Sequence, residues 1–595
     1  MQARSNGVLA SCKNYEGYAV KMLTVIGRFN AICARQPEAL ALISDNASLT
    51  YGQLSARVTG MATLIERNFI KAIGRSPGSG DVIAVSLDKG VDLYAAILAI
   101  LSVGASYVPV DPTLPTDLQA HMLDACRCEF VVAPQALQVA ATCKRMDPHE
   151  AEAESHASSG GDPDPSRRTM VHRCYTIFTS GSTGRPKGVQ ITDCNLLNLV
   201  DWMQSEFALG ADHRVLQYST INFDASILDI FPPLLSGATL CIPSHDQRMS
   251  AALLRDFCAY HQVNHAFLPP ALLSVLDAAQ FPTLRNVLTG GEACSPSTLR
   301  SWVPGRRFYN LYGPTECTVL VSFKPMEITT SRTNIGQAIP GARLHVLNDE
   351  LSPVKRGELH VAGLAVSPGY MSDEATTNRK FVACPAVDEG MLYKTGDIVE
   401  RDAVGDLHFV GRVDRQVKVR GYRIELEEIE GALARLGCLQ AAVKSTTQGE
   451  LAAYVVLPPA LSMADVRRRL SEELSDFKVP SFFHELGHFP LKASGKVDYD
   501  ALPGIGPGSP EMPSPFPADP ALKALTTLTA LWSEVLGVPA QMLDADSNFR
   551  HLGGTSIKIV RLLSAMERRF DVRVPFAEFL RNPTLGYLFT TLQKT

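Results

Sequence analysis

The sequence contains no CxxC pair; of its thirteen cysteines only Cys126 and Cys128 come close together, as a lone CxC. That usage fits buried thiols in a reducing compartment better than a disulfide framework or a zinc site. Basic residues are not in excess, at 56 against 61 acidic ones, for a formal net charge of −5. The concentrated positive surface that nucleic acid requires is therefore missing. Met1 to Val25 holds no uninterrupted apolar stretch that would serve as a secretory signal. The most apolar run, Leu93 to Val110, is broken by Ser102, Gly104, Ser106 and Pro109, which predicts a buried helix followed by a short strand rather than a membrane span. No internal repeat is found. These absences point to a cytoplasmic globular protein with neither nucleic acid nor membrane as a partner.

What is present is a chain of 595 residues, 46% hydrophobic and 20% charged, too long for one core and ordinary in composition. Two stretches look like breaks. His149 to Arg168 is rich in Ala, Glu, Ser, Gly, Asp and Pro and reads as an exposed loop or insertion. Gly504 to Pro520 is dense in Pro and Gly, as in a semi-rigid linker. Before the linker, buried strands are expected at Val82–Leu87, Phe130–Ala133, Tyr175–Phe178 and Ala266–Leu268. Helices are expected at Leu93–Leu101 and Cys194–Glu206. That alternation predicts an α/β protein with largely parallel sheets. After the linker only helical spacing remains, over Leu522–Leu536 and Ile557–Phe570, which predicts a small separate helical bundle.

The sharpest motif is Thr179-Ser-Gly-Ser-Thr-Gly-Arg-Pro-Lys-Gly188, directly after the apolar strand. Small residues let backbone amides and hydroxyls wrap around phosphate oxygens, and Lys187 adds a positive charge. The GxxxxGK[ST] spacing of a Walker loop is absent. Further along, Asn310-Leu-Tyr-Gly-Pro-Thr-Glu316 supplies an acid and hydroxyls suited to Mg²⁺ and phosphate. Tyr393-Lys-Thr-Gly-Asp397 places a carboxylate, Gly411 to Glu425 is a long polar–apolar alternation, and Pro490 to Lys496 ends in an isolated lysine. Each alone reads equally well as a turn or a solvated strand; their order along one chain carries the argument.

Taken in that order, from Leu49-Thr-Tyr-Gly-Gln-Leu54 through Gly104-Ala-Ser-Tyr-Val-Pro-Val-Asp111 and Gly357-Glu-Leu-His to Lys496, the sequence resembles an adenylate-forming enzyme, specifically the adenylation domain of nonribosomal peptide synthetases. Beyond the linker, Asn548-Phe-Arg-His-Leu-Gly-Gly-Thr-Ser-Ile557 resembles the phosphopantetheine site of a carrier (thiolation) domain, with Ser556 as the attachment point. A serine there would also cap the helix that follows, and a helix N-terminus suits the phosphate equally. The resemblance implies a large N-terminal adenylation subdomain over 20–413 and a small α+β C-terminal subdomain over 414–503 that swivels about Asp414. A linker over 504–520 and an all-α four-helix carrier over 521–595 would complete the chain.

The roles the resemblance implies are as follows. Lys496 bridges the substrate carboxylate and phosphate during adenylation, Glu316 holds Mg²⁺, and the loop around Thr183 and Lys187 meets the leaving phosphates. Asp397 with Arg412 binds ribose, and Tyr312 and Thr315 also belong to the ATP/AMP site. The Gly421 region approaches the pantetheine thiol after rotation. Asp224, in Phe223-Asp-Ala-Ser-Ile-Leu228, meets the substrate α-ammonium, which favours an α-amino acid over an aryl or keto acid. Positions aligned with the pocket wall are Ala225, Leu228, Phe267, Leu288, Gly290, Leu311, Val319 and Leu320. All are apolar or small, so an unpaired polar side chain would be costly there. The set is similar to those of leucine-activating domains; phenylalanine, tryptophan and isoleucine stay open, because Gly290 leaves room and pockets discriminate hydrophobes weakly.

The expected reaction is therefore ATP-dependent, AMP-forming activation of an apolar, leucine-like α-amino acid and its loading onto the chain's own carrier, in nonribosomal peptide or related secondary-metabolite biosynthesis. ATP, Mg²⁺ and 4'-phosphopantetheine are the implied cofactors. A phosphopantetheinyl transferase and a downstream condensation, reductase or other tailoring enzyme acting in trans are the implied partners. The rival readings are an acyl-CoA or aryl-acid ligase, opposed by the carrier and Asp224, and a non-catalytic nucleotide-binding scaffold, opposed by Lys187, Glu316, Asp397 and Lys496. Two departures from the family pattern stand out: Asp193 where histidine is common, which bears on adenylation efficiency, and Thr555 where aspartate is common, which bears on recognition by the transferase. The sequence leaves no room for a condensation domain before Leu49 or a releasing domain after Thr595, so bond formation or release is expected on another polypeptide unless the chain is part of a longer synthetase.

Overall fold

The computed structural model describes residues 24–594 except 113, 135–142, 149–167, 181–184, 385–386, 388–390, 420–421, 447–449, 491–496, 500, 504–519, 539, 551, 553 and 555. The expected strands are present as Val82–Val85, Phe130–Val132, Arg173–Thr179 and His265–Phe267, and the expected helices as Val91–Ser102 and Asp193–Phe207. Leu93 to Ser102 are all buried, so the apolar run is a helix surrounded by core on every side. The strand Ser106–Pro109 follows it. No helix among the described residues is long and apolar enough to cross a membrane.

Two sheets organise the first four hundred residues. In the seven-stranded sheet, Lys144–Met146, Phe130–Val132, Val82–Val85, Ser106–Pro109 and Arg173–Thr179 run parallel. Lys187–Thr192 then returns antiparallel to Arg173–Thr179, its partner across the phosphate loop. In the fourteen-stranded sheet a parallel block runs through Arg307–Tyr312, Asn286–Gly290, His265–Phe267, Arg214–Leu216, Thr239–Ile242 and Leu40–Ser44. The other part, from Ser322–Pro325 to Ala342–Leu347, is antiparallel. The expectation of largely parallel sheets is thus met only in the cores. Strands without an intervening helix, such as Arg307–Tyr312 and Ser322–Pro325, pair in hairpin fashion, because a parallel return needs a long crossover.

Local signals fix the helices around these sheets. Thr50 and Gln53 form a capping box for Tyr51–Ile73, which ends at Gly74 with φ of 88°. Thr192 and Asn195 form another for Asp193–Phe207, each satisfying amides the helix leaves unpaired. Arg168, read from the sequence as part of an exposed segment, is instead buried. It pairs with Asp193 at 2.6 Å and donates to the carbonyls of Ala105 and Arg173. The neighbouring low-hydrophobicity residues masked that role, and 149–167 lie outside the described residues.

Beyond Asp414 the chain forms the two-stranded hairpin Val417–Val419/Tyr422–Ile424 and a three-stranded sheet packed by the helices Leu426–Arg435 and Met463–Glu473. The linker expected over 504–520 lies outside the described residues up to 519. The C-terminal part is built on the helices Pro520–Leu536, Ser556–Phe570, Phe576–Arg581 and Leu585–Lys594, which close on a core centred on Trp532, Phe549 and Phe579.

Candidate active site

The carboxyl ends of adjacent parallel strands form one wall of a cavity of about 620 Å³, the usual place for a ligand in such a sheet. Phe267, Gly290 and Leu311 stand at or near the ends of three neighbouring strands, with Gly290 directly opposite Leu311. They line the cavity with Asp224, Ala225, Leu228, Val319 and Leu320. Leu288 does not: two residues deeper in the same strand, it is fully buried in the apolar core. A Cβ on Gly290 would meet the Leu311 carbonyl oxygen at 2.5 Å, so close strand approach demands glycine here whatever the substrate. Val319 has φ of 73° and Thr318 φ of 56°, unusual for β-branched residues and typical of functional turns. The Thr318 hydroxyl fixes the turn by donating to the Ala365 carbonyl at 2.7 Å.

Asp224 is the acid of this wall. It accepts a hydrogen bond from the Thr315 hydroxyl. Burial pushes its carboxyl above the usual carboxylate range, with Thr315 and the Lys418 charge opposing the shift. Asp397 accepts from Arg412 through one oxygen and from the Tyr312 hydroxyl through the other, leaving lone pairs for further donors. Arg412 also pairs with Asp414 at 2.6 Å. Lys187 begins the strand after the phosphate loop. Its ammonium lies 5.9 Å from the Tyr370 ring centroid and lines a second cavity, of about 280 Å³, with Glu316, Arg379 and Arg423. Burial lowers the Lys187 pKa. Thr183, Gly421 and Lys496 lie outside the described residues.

The opposite wall comes from the hairpin. Arg423 donates to both oxygens of Glu316, at 2.8 and 3.0 Å, and the Tyr370 hydroxyl donates to the same carboxylate at 2.5 Å. Burial opposes ionisation of Glu316, but Arg423 and Tyr370 outweigh it and hold the carboxyl below its ordinary range. Lys418 lies 5.6 Å from the Tyr312 ring centroid and faces the cavity. Burial lowers its pKa, while Asp397 and Asp224 act the other way. Tyr422 stacks on Phe477 at 4.4 Å and approaches Phe223 at 4.4 Å. Sequence reasoning missed Lys418 and Arg423, although the alternation Val417-Lys-Val419 and Tyr422-Arg-Ile424 carried the signal.

The cavity does not end in these two bodies. Arg550 and Val560 of the C-terminal helical part also line it. Ser556 is the first residue of the helix that contains Val560.

A family model described as "AMP-binding enzyme" matches residues 29–371, and one described as "Phosphopantetheine attachment site" matches 526–591. The chain belongs to the AMP-binding enzyme family. It pairs an AMP-binding adenylation domain with a phosphopantetheine-attachment carrier domain. Among relatives, "Probable non-canonical nonribosomal peptide synthetase (NRPS) CymA" of Salinispora arenicola is 35% identical over 93% of this chain, which spans 7% of that protein. Bacitracin synthase 1 of Bacillus licheniformis is 30% identical over 94% of the chain, which spans 10% of it. Holo-PA1221, a nonribosomal peptide synthetase protein containing adenylation and carrier domains and solved with a vinylsulfonamide inhibitor, superposes with a TM-score of 0.81. It is 25% identical, with 96% of this chain and 97% of that one covered.

Proposed function

We propose that this adenylation–carrier chain activates an apolar, leucine-like α-amino acid and loads it onto Ser556 of its own carrier, for nonribosomal peptide or related biosynthesis. The observation that carries the reading is one cavity in which Asp224 is the only acid among the otherwise apolar selecting residues, and which reaches to Val560 of the carrier helix. An α-ammonium supplies the partner the Asp224 carboxylate needs. The apolar side chain then lies against Ala225, Leu228, Phe267, Leu311, Val319 and Leu320.

In adenylation the substrate carboxylate oxygen attacks the α-phosphorus of ATP and the bond to pyrophosphate breaks. Positioning and charge do the work. Lys187, with Thr183, holds the leaving phosphates; Lys496 bridges carboxylate and α-phosphate; the free lone pairs of Asp397, beside Arg412, take the ribose hydroxyls. Tyr312 and Thr315 keep Asp397 and Asp224 oriented toward the nucleotide and the amino acid. Glu316 would hold a Mg²⁺ ion, which would supply charge neutralisation at the phosphates, but with Arg423 and Tyr370 on its oxygens the carboxylate is already satisfied. Metal binding therefore belongs to an arrangement in which the hairpin has withdrawn about the Asp414 hinge. Ser556 would hold 4'-phosphopantetheine, which would supply a thiol for thioester formation with AMP as the leaving group. The hairpin, with Lys418 and Arg423 at the cavity, forms the second half-reaction's wall, and the role given to Gly421 rests on the resemblance alone. Domain limits of 20–413, 414–503 and 521–595 follow this division, with a phosphopantetheinyl transferase and a condensation, reductase or tailoring enzyme in trans as partners in the cytoplasm.

Amino-acid-dependent ATP–pyrophosphate exchange tests the reading. A maximum at leucine or a close apolar relative is expected. Exchange only with acids lacking an α-amine would overturn the role given to Asp224.

A further inference from the structure

One cation on the cavity wall has no part in the chemistry above. Arg248 belongs to the short helix His245–Met249, on which the carrier rests. Met249 packs against the carrier's apolar core, the His245 ring lies 5.5 Å from that of Phe576, and the helix Ser556–Phe570 touches the same segment. The Arg248 side chain lines the cavity together with Asp111, Tyr218 and Tyr422. Its backbone carbonyl is held by the Tyr218 hydroxyl at 3.4 Å, yet its Nε is buried without a hydrogen-bond partner. Its guanidinium makes no ion pair within 4 Å among the described residues. Burial works against its charge, and Tyr218, Tyr94 and Asp111 relieve this only partly. The Nε is thus left without an acceptor while the rest of the half-buried guanidinium faces the cavity, so a charged donor fork stands open to an acceptor that arrives along the channel.

The position suggests which one. Val560, on the same cavity, lies one helical turn beyond Ser556, so anything attached there and reaching Asp224 or Asp397 passes the wall that carries Arg248. We infer that Arg248 is a binding residue for the phosphopantetheine arm, donating hydrogen bonds to an acceptor oxygen of the arm, either its phosphate or an amide carbonyl. This rests on Ser556 being the attachment point. The planar fork of donors serves either acceptor.

The test uses the full-length chain with Ser556 unmodified, so that the channel is open to free ligand. Calorimetric titration with 4'-phosphopantetheine and with pantetheine gives the two affinities, for wild type and for Arg248→Ala. Loss of one charge-assisted contact weakens binding by about ten-fold or more. Weakening confined to phosphopantetheine assigns the phosphate; equal weakening of both assigns an amide; either supports the inference. Equal affinities in wild type and variant, or no binding of either compound to wild type, overturn it. On the modified chain, the ratio of thioester loading to pyrophosphate exchange in the same preparation falls by a similar factor in Arg248→Ala. If that variant does not fold, Arg248→Gln, which keeps much of the volume, carries both measurements. Failure of the transferase to modify Ser556 would instead refute the carrier reading, independently of Arg248.

Discussion

Two buried arginine–carboxylate pairs close two different joints of this molecule. Arg168–Asp193 lies wholly within the large body, with side chains 2% and 0% exposed. The carboxylate also accepts the Val25 amide at 3.0 Å, and the guanidinium meets two further carbonyls. Arg423–Glu316 is nearly as dry, at 17% and 1%, but its partners lie 107 residues apart, on the hairpin and on the large body. The first pair is surrounded by groups that never need to part. The second joins bodies that separate in the mechanism proposed above. Similar chemistry therefore serves as a permanent clamp in one region and as a releasable contact in the other. The difference lies in how many additional bonds each partner makes to its own body. The comparison also gives the departure at Asp193 a role: it is a buried acid paired with Arg168 and with the Val25 amide.

Breaking the clamp should have the largest effect. Asp193→Ala leaves the Arg168 guanidinium buried and unpaired, at a cost of about 3–5 kcal/mol, read as a lowered urea midpoint for the large body; a midpoint within error of wild type would show that the pair is dispensable. Arg423→Gln should leave the fold intact and slow thioester loading by about ten-fold relative to pyrophosphate exchange, as expected for one lost charge-assisted contact. Loading and exchange that change together would mean that the pair is a clamp after all. Asp224, the third acid and the one without an arginine, gives the smallest effect. Because burial raises its pKa, it becomes neutral at a higher pH than an ordinary aspartate. The exchange KM for the amino acid should then rise by a few-fold as pH falls through that raised value, since the ammonium needs the ionised form. A KM that is flat down to the pH where a free aspartate titrates would contradict this.

The motif residues were legible because each motif is local. Thr179 to Lys187, Asn310 to Glu316 and the Asp397 segment each combine a strand end with a loop, and their order along the chain needs no three-dimensional information. The buried helix Val91–Ser102 was legible for the same reason. What escaped were partners. Arg168 sits at the edge of a composition that reads as solvent-exposed, and only burial of Asp193 explains it. Arg423 and Lys418 alternate with apolar residues as on any hairpin, and their meaning depends on Glu316, Asp224 and Asp397 arriving from far away in sequence. Leu288 differs in another way: alignment with the family's pocket positions names it beside Gly290, whereas it lies two residues deeper in the strand, buried in the core.

Every residue proposed to select the amino acid falls between Asp224 and Leu320, on one side of the cavity, whereas Lys418, Tyr422, Arg423 and the carrier residues lie outside that interval. Inheritance can therefore act on the two sets separately. A recombination with crossovers before Phe223 and after Leu320 would carry the whole selecting wall in one piece into a different host chain. The clamp, the hairpin strands and the carrier would be supplied by the recipient, and the contacts to be kept across the boundary include Glu316 with Arg423, Tyr312 with Asp397, Thr318 with Ala365, and the ring of Phe223 with Tyr422 and Phe477.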